Sequence, residues 1–290
     1  MSGNTFDIIY ADFHAHTTAS DGTTEPEALV RQAKEVGLTY LAVTDHDTTA
    51  AVPRALVAAR ELGIRLMCGV ELSADGAPGK CHMLGLGIDP GHAEMNATLR
   101  ELSESRRARN EKIITRLRSL GIDITMAEVT AVAPAGANVG RPHFAQTLIA
   151  KGVVQTNQEA FDRYLADDAA AYVTRDSLTP AEAVRLVHDA GGLAFIAHPG
   201  LLRLSEQETY QTRFAALKAL GMDGIEAYYS SYSPALTEKL LRIAEKLELM
   251  VTGGSDFHGD NKPGVHLGVV RDGDRLVADL LPTGLLERAV

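Results

Sequence analysis

Two histidines separated by one residue follow a carboxylate near the start of the chain, in the sequence Asp12-Phe13-His14-Ala15-His16. The apolar residues 8–10 before this segment predict a buried strand that ends on it. Side chains alternate in an extended segment, so Asp12, His14 and His16 are expected on one face. Neutral imidazole nitrogens and carboxylate oxygens are common ligands of divalent metals. The segment therefore predicts part of a metal site, with two surface histidines at a strand end as the alternative.

Similar polar clusters follow other apolar segments, and this recurrence strengthens the prediction. They are Thr44-Asp45-His46-Asp47, Gly69-Val70-Glu71, His82, Ala197-His198-Pro199 and Ser255-Asp256-Phe257-His258. All except His82 are expected at the carboxyl ends of strands, where the sites of α/β folds collect. His82 is expected to begin a strand. A metal-binding role is favoured there over that of an ordinary core residue only because the other clusters are present.

The segments that must position these side chains alternate between short apolar strands and helices. Strand, polar residue and helix recur over residues 8–71 and again over 180–256, which is typical of parallel βα units. Between them, residues 94–120 predict one long charged helix, followed by further helical stretches without a clear strand. We predict an α/β protein in which residues 1–99 and 168–290 form the two parts of a βα framework. Residues 100–167 are expected to be a helical insertion with its own role.

Length and composition bound the class of protein. The 290 residues are 45% hydrophobic, enough for a sizeable core, and the formal net charge of −10 argues against a surface that grips long nucleic acid. Cys68 and Cys81 are too few for a disulfide framework and predict buried thiols in a reducing compartment. Residues 1–7 show no signal-peptide pattern, and no apolar run approaches the roughly 20 residues of a membrane span. We therefore expect a cytoplasmic protein, with no membrane association and no stable protein partner evident.

The motifs D-x-H-x-H, T-D-H, G-x-E, a downstream His, A-H-P and S-D-x-H occur here in that order. Together they resemble the polymerase and histidinol phosphatase (PHP) superfamily of metal-dependent phosphoesterases. The resemblance covers roughly residues 7–90 and 180–260. It implies a distorted (β/α)7 barrel with two to three divalent ions at its mouth. Manganese is the metal expected, with iron and zinc as alternatives.

The family pattern also implies a role for each matching residue of this sequence. One ion would be held by His14, His16, Glu71 and Asp256, and Glu71 would bridge to a second ion on His82 and His198. A third ion would be held by Asp21, His46 and His258. Asp12 and Asp45 would orient histidines, with Asp45 also open to direct ligation. The residues expected to act in catalysis are His46, His258 and Asp45.

A second resemblance concerns the insertion. Its segment Gly140-Arg141-Pro142-His143-Phe144, together with Arg106-Arg107-Ala108-Arg109-Asn110, resembles a bacterial PHP subgroup that acts on nucleotides. Its members remove the 3′-phosphate from 3′,5′-nucleotide bisphosphates, and some also shorten 5′-phosphorylated RNA. A guanidinium donates two hydrogen bonds to a phosphate at once. The side chains expected to bind the substrate are Arg141, His143, Arg109 and Arg175.

The implied reaction is hydrolysis of a phosphate monoester by a hydroxide that bridges two ions. Another phosphatase reaction on the same framework, such as histidinol phosphate hydrolysis, is one alternative, and a 5′-to-3′ exoribonuclease is another. A non-enzymatic module with a structural cluster is disfavoured because metal-binding residue types fill every ligand position. For Arg106, Arg107 and Arg109 the alternative to a role in substrate binding is a place on a solvated helix face. Tyr228, Tyr229 and Tyr232 either form a wall for a base or pack in the core.

Overall fold

A computed structural model describes residues 8–134, 137–271 and 273–290. Residues 1–7, on which the prediction of a missing signal peptide rests, lie outside these ranges. In the described part of the chain, every helix is too short or too polar to cross a bilayer.

Among the described residues, seven strands form one mixed sheet that nearly closes into a barrel. In spatial and chain order they are β1 (Ala11–Asp12), β2 (Tyr40–Val43), β3 (Arg65–Ala74), β4 (Cys81–Leu86), β5 (Leu193–Ile196), β6 (Gly224–Tyr229) and β7 (Met250–Gly254). The amide of Phe13, just after β1, donates to the carbonyl of Gly253 in β7 across 3.1 Å and so joins the two edges. A separate two-stranded sheet pairs β8 (Val269–Val270) with β9 (Asp274–Arg275). The predicted α/β class and seven-stranded barrel are confirmed.

In the part of the chain that the structure describes, ten α-helices surround the sheet or belong to the insertion. They are α1 (Pro26–Glu35), α2 (Val52–Leu62), α3 (Ala93–Ser119), α4 (Met126–Val132), α5 (Arg141–Ala150), α6 (Asn157–Ala160), α7 (Pro180–Asp189), α8 (Tyr210–Ala219), α9 (Pro234–Lys246) and α10 (Thr283–Leu286). Three of them begin with proline, which suits the first helical position because its missing N–H would have no partner there. Helix α2 ends at Gly63, whose φ of 66° is the left-handed conformation that glycine adopts without strain.

One strand direction differs from the expected parallel pattern. β4 pairs antiparallel with β3 and with β5, whereas the remaining neighbours are parallel. β3 and β4 are consecutive and joined by the loop 75–80, so the chain turns back instead of crossing over through a helix. His82 therefore lies at the beginning of its strand and still reaches the edge where the other strands end.

Two local predictions were wrong. Residues 8–10 are not a buried strand: Ile8 is 62% exposed and Ile9 39% exposed, and β1 begins only at Ala11. The sheet pairing of this segment with β2 is confined to Ala11 and Asp12, so the residues before it lie beyond the strand edge. Glu71 does not follow its strand but lies inside β3, which continues to Ala74 because it pairs with β4.

The insertion has a hydrophobic core separate from that of the barrel. Met95, Leu99 and Leu102 of α3 pack with the barrel's outer core. Further along the same helix, Ile113 and Leu117 pack instead with residues of α4, α5 and the segment up to Val173. The change of packing partner thus falls within α3, and the second core covers residues 113–173.

Candidate metal centre and the adjoining arginine cavity

Four residues from distant parts of the sequence meet at the mouth of the barrel. His14 Nε2 and His16 Nε2 lie 3.1 Å apart, and Glu71 Oε2 lies 3.3 and 3.2 Å from them. Asp256 Oδ1 completes the group at 3.5 Å from His14 Nε2 and 3.3 Å from His16 Nε2. These are the residues expected around the first ion.

Glu71 connects this group to three further histidines. Its Oε1 lies 2.8 Å from His82 Nδ1 and 2.8 Å from His198 Nε2. Its Oε2 lies 3.0 Å from His46 Nδ1. Burial alone would raise the pKa of Glu71, but His46, His82 and His14 around it hold that pKa well below its usual range. The central carboxylate is therefore ionised, as a bridging ligand requires.

A third group adjoins the first through His16. It combines His16, Asp21, His46 and His258, whose candidate ligand atoms all lie within 4.8 Å of one another. His258 Nε2 lies 3.3 Å from Asp21 Oδ1, and the His16 and His258 rings are stacked with centroids 4.0 Å apart. Each of the nine expected ligands thus lies in one connected cluster.

The cluster fits divalent ions. His16 Nδ1, His46 Nδ1 and Glu71 Oε2 are buried and have no hydrogen-bond partner among the described residues. Imidazole nitrogens that converge at 3.1 Å cannot satisfy one another unless one of them is protonated, and unpaired buried acceptors are costly. A cation between the converging atoms would satisfy them together. The mixed histidine and carboxylate donor set suits manganese, iron or zinc.

Asp12 and Asp45 lie beside the cluster with both oxygens engaged by other groups. Asp12 accepts hydrogen bonds from the Ser255 amide at 2.9 Å, the Ser255 hydroxyl at 2.5 Å and the Gly268 amide at 2.7 Å. Asp45 Oδ1 accepts from the Thr17 amide at 2.8 Å and the Ser20 hydroxyl at 2.6 Å, and its Oδ2 accepts from the Thr17 hydroxyl at 2.7 Å. Both carboxylates fix the segments that carry the ligands. For Asp45, this geometry favours a positioning role over direct ligation.

A cavity of about 250 Å³ opens beside the cluster. Its lining includes Asp21, His46 and His82 of the cluster together with five cationic side chains, which are Lys80, Arg106, Arg109, Arg141 and Arg175. The solvated-face alternative is therefore wrong for Arg106 and Arg109, which are buried, and applies only to the exposed Arg107. One face of helix α3 therefore carries Arg106 and Arg109 into the cavity, and another face carries Arg107 into solvent.

Two carboxylates pair with four of these cations. Arg175 donates to Asp47 Oδ2 across 2.7 Å, and Arg106 donates to the same oxygen. Burial would raise the pKa of Asp47, but these two arginines lower it, so its charge is retained. At the rim, Asp167 accepts from Arg141 at 3.2 Å and from Lys80 at 2.8 Å.

Arg109 is the exception. Its side chain is only 5% exposed, its Nε donates to Asn110 Oδ1 at 3.0 Å, and it forms no ion pair with the carboxylates of the described residues. Burial, followed by repulsion from Arg106 and Arg141, lowers the pKa of Arg109 to about 9. A buried guanidinium without a counter-ion is unfavourable unless an anion is supplied. The cavity is therefore suited to an anionic ligand.

Other expected contacts are arranged differently. His143 is fully buried, its Nδ1 accepts from the Gly140 amide at 3.0 Å, and it does not line the cavity. Tyr229 and Tyr232 are buried and also lie outside the cavity lining, where the aromatic side chains are Phe161 and Tyr172. The packing alternative therefore describes these two tyrosines, although Tyr229 also donates to Asp256 Oδ2 across 2.7 Å.

The sequence reasoning missed two carboxylates that hold the site together. Glu226 lies 2.9 Å from His14 Nδ1 and is fully buried in β6. The available signal was a glutamate within the apolar strand 224–229. A buried charge is rarely unpaired, so this glutamate predicts a polar partner inside the fold. Asp47 belongs to the polar cluster 44–47, but nothing in the sequence indicated its pairing with arginines, since these partners are 59 and 128 positions away.

Comparison with known proteins agrees with this geometry. The PHP domain model matches residues 12–173. A 5′-3′ exoribonuclease of Haemophilus influenzae is 36% identical over 248 residues, covering 85% of this chain and 89% of that protein. A 3′,5′-nucleoside bisphosphate phosphatase of Chromobacterium violaceum is 31% identical over 261 residues, covering 90% of this chain and 91% of that protein.

Among solved structures, a candidate metal-dependent phosphoesterase from Bifidobacterium adolescentis superimposes with a TM-score of 0.85. It is 34% identical, and the match covers 97% of this chain and 96% of that one. The family model, the full-length relatives and the superimposed fold agree with the cluster of histidines and carboxylates at the barrel mouth. The chain therefore belongs to the PHP-domain family and is a metal-dependent phosphoester hydrolase.

Proposed function

We propose that this enzyme removes the 3′-phosphate from 3′,5′-nucleotide bisphosphates and releases a 5′-nucleotide and phosphate. The observation that carries the proposal is that Arg109, which is buried and has no carboxylate partner among the described residues, lines the same cavity as Asp21, His46 and His82 of the metal cluster. A substrate with two phosphates would place one on the cluster and the other at Arg109. A substrate with a single phosphate would leave one of the two positions without an anion.

The charges of the cavity support a phosphate as the second group. Five cationic side chains line it, and within residues 8–134, 137–271 and 273–290 the carboxylates that pair with them are Asp47 and Asp167. Arg109 and Arg141 are the proposed contacts for the 5′-phosphate, with Arg175 aligned behind them by Asp47. His143 would act indirectly, since its hydrogen bond to the Gly140 amide fixes the beginning of α5 beside Arg141.

The chain's own residues would orient the reacting groups. Bound divalent ions supply an activated water and stabilise the charge that develops on the phosphoryl group. Glu71, His14, His16 and Asp256 would hold one ion, His82 and His198 would hold a second together with Glu71, and Asp21, His46 and His258 would hold a third. Six of the nine candidate ligands are buried, which removes competing water and strengthens their interactions; they are His14, His16, Asp21, Glu71, Asp256 and His258. We propose manganese as the metal, because oxygen and imidazole ligands are mixed here without any thiolate.

The insertion is proposed to be the substrate-binding unit, over residues 100–167. It supplies Arg106, Arg109 and Arg141, and its separate core supports α3 and α5 independently of the barrel. Arg175 lies just beyond this range and completes the cavity from the segment before α7.

Shortening of 5′-phosphorylated RNA is the second candidate. It is favoured by the 36% identical relatives named 5′-3′ exoribonuclease. The same cavity would hold the 5′-phosphate, and the scissile phosphodiester would lie on the metal cluster. The net charge of −10 favours short over long RNA.

A phosphate-release assay over five substrates tests the proposal. With manganese present, the panel contains adenosine 3′,5′-bisphosphate, 3′-AMP, 5′-AMP, a short 5′-phosphorylated RNA and histidinol phosphate, with nucleotide release also followed for the RNA. The proposal requires kcat/KM to be highest for the bisphosphate and substantially lower for 3′-AMP, which lacks the 5′-phosphate. The RNA as best substrate would support the second candidate. Histidinol phosphate as best substrate would contradict both.

The variant Arg141→Ala adds a residue-level test. It is expected to raise KM for the bisphosphate far more than KM for an aryl phosphate, which has no second phosphate to bind. Equal losses on both substrates would instead indicate that Arg141 supports folding through its bonds to Leu165 and Asp167.

A further inference from the structure

Glu226 connects two of the expected metal ligands from within β6. Its Oε1 lies 2.9 Å from His14 Nδ1, and its Oε2 accepts a hydrogen bond from the His198 amide at 2.5 Å. The side chain is completely buried, and its two oxygens are used by these two residues. We propose that Glu226 is a positioning residue that sets the tautomer of His14 and the backbone of His198. This inference rests on the metal centre of the proposed function.

The tautomer follows from the chemistry of the carboxylate. An ionised carboxylate only accepts hydrogen bonds, so the His14 nitrogen that faces it, Nδ1, must carry the ring proton. The lone pair of a neutral His14 is then on Nε2. That atom points into the cluster, 3.3 Å from Glu71 Oε2 and 3.5 Å from Asp256 Oδ1. Glu226 thus makes available the lone pair that a metal would need.

The bond to His198 acts on the backbone. His198 has φ 30° and ψ 56°, a left-handed conformation that is unfavourable for a residue with a side chain. Its amide donates to Glu226, and its ring Nε2 reaches Glu71 Oε1 at 2.8 Å. Glu226 therefore holds the strained backbone of His198, and Glu71 holds its ring.

An irregularity in β6 explains how two of its residues, Glu226 and Tyr229, both contact the cluster. Glu226 pairs with Thr252 of β7, but Tyr228 pairs with Gly253, so one extra residue is accommodated between them. In a regular strand, residues three apart point to opposite faces. Because of this bulge, both Glu226 and Tyr229 reach the cluster, and Tyr229 donates to Asp256 Oδ2 at 2.7 Å. The remaining oxygen, Oδ1, faces His14 and His16.

The variant Glu226→Gln tests the inference with almost no change of shape. The glutamine oxygen would accept from the His198 amide, so its NH2 group would face His14 Nδ1. That nitrogen would have to become the acceptor, and the ring proton would move to Nε2, where it blocks the lone pair. We expect manganese affinity, measured by titration against a competing chelator, to fall about 10- to 100-fold.

A matched control lies at the other end of the same strand. Asp223, the residue before β6, also binds a histidine ring and a backbone amide, with His188 Nε2 at 2.7 Å and the Ala194 amide at 2.7 Å. Asp223→Asn makes the same chemical change away from the cluster. It is expected to leave manganese affinity unchanged, so a general effect of replacing a carboxylate near β6 is excluded.

A second readout does not depend on bound metal. Burial lowers the pKa of His14, but Glu226, Asp256 and Glu71 outweigh it and raise that pKa well above its usual range, so the metal-free protein is measured at a pH high enough to leave the ring neutral. Long-range ¹H–¹⁵N NMR of the imidazoles then reports which His14 nitrogen carries the remaining proton. We expect Nδ1–H in the wild type and Nε2–H in Glu226→Gln. An Nε2–H wild type overturns the inference, and so does a variant with unchanged manganese affinity. If wild-type protein binds no manganese, the proposed metal centre fails, while the tautomer measurement still decides the role of Glu226.

Discussion

The Arg175 guanidinium donates to the Asp47 carboxylate across 2.7 Å, and Asp47 directly follows the expected ligand His46 in the chain. Arg106 reaches the same oxygen from α3. One buried carboxylate therefore ties the first helix of the insertion and the segment before α7 to the metal cluster. The arginines of the cavity are held at a fixed position relative to the ligands, which is what a substrate with two separated phosphates requires.

Replacing Asp47 by asparagine should destabilise the fold. The variant leaves Arg106 and Arg175 as buried cations without a carboxylate partner, which costs about 3 to 5 kcal/mol when a buried pair is broken. Urea unfolding measures the loss, and added inorganic phosphate should recover part of it by replacing the missing anion.

The surface pair of Glu27 with Arg54 provides the comparison. These side chains also approach to 2.7 Å, but both are substantially exposed, so Glu27→Gln should cost at most about 1 kcal/mol. Similar losses for the Asp47 and Glu27 variants would mean that the cavity arginines are not held by a buried charge.

Arg109→Met should weaken binding of the bisphosphate without loss of stability. The substitution removes a buried cation that has no carboxylate partner and that is repelled by Arg106 and Arg141, so the free energy of unfolding should stay constant or rise. KM for the bisphosphate should increase at least tenfold, about 1.4 kcal/mol, while turnover of an aryl phosphate is retained.

Arg107→Met is the matched control for Arg109→Met. Arg107 lies two residues earlier in α3 and is exposed, away from the arginine cavity. It should leave both KM values unchanged. If the two variants behaved alike, the effect would come from net charge and not from the cavity.

Removal of divalent ions should lower the melting temperature. Ions that bind only the folded state stabilise it by about 2.7 kcal/mol at a free concentration one hundred times Kd. Thermal unfolding with chelator and with increasing manganese measures this shift. His16→Ala, which removes a residue shared by two groups of the cluster, should abolish most of it, whereas replacement of the exposed His266 should not. A manganese shift that survives His16→Ala would locate the ions elsewhere.

Phe144→Ala should destabilise the core of the insertion without destabilising the core of the barrel. Phe144 is fully buried in the core of the insertion, and truncation of such a side chain costs about 3 to 5 kcal/mol. Hydrogen exchange should accelerate in residues 113–173, with weaker substrate binding and unchanged manganese affinity. Phe195→Ala in the barrel interior should reduce manganese affinity as well. Loss of manganese binding in Phe144→Ala would contradict an independently packed insertion.

The clustering of the candidate ligands could be predicted from the sequence because the pattern that marks them is local. Histidine and carboxylate next to a short apolar strand, as in Thr44-Asp45-His46, is an uncommon pattern, and the carboxyl ends of parallel strands converge in space. The length of α3 was equally accessible, since its charged and apolar positions repeat over the whole helix from Ala93 to Ser119.

The remainder depends on partners that sequence spacing does not reveal. The direction of β4 is set by a short loop, and only pairing extends β3 past Glu71 to Ala74. The bulge that turns Tyr229 towards Asp256 is a property of the register between β6 and β7. Likewise, Arg106 has a carboxylate partner because Asp47 lies close to it in space, whereas Arg109 bonds to Asn110 instead.

The central claim is that metal ions and the arginine cavity bind two phosphates of one nucleotide. A crystal structure of the manganese-loaded protein with a non-hydrolysable 3′,5′-bisphosphate analogue tests it most directly. Anomalous scattering should locate at least two manganese ions among His14, His16, Glu71 and Asp256 and the adjoining histidines, with the 3′-phosphate analogue on them and the 5′-phosphate at Arg109. Ions outside this cluster, or a 5′-phosphate bound away from Arg109, would contradict the account.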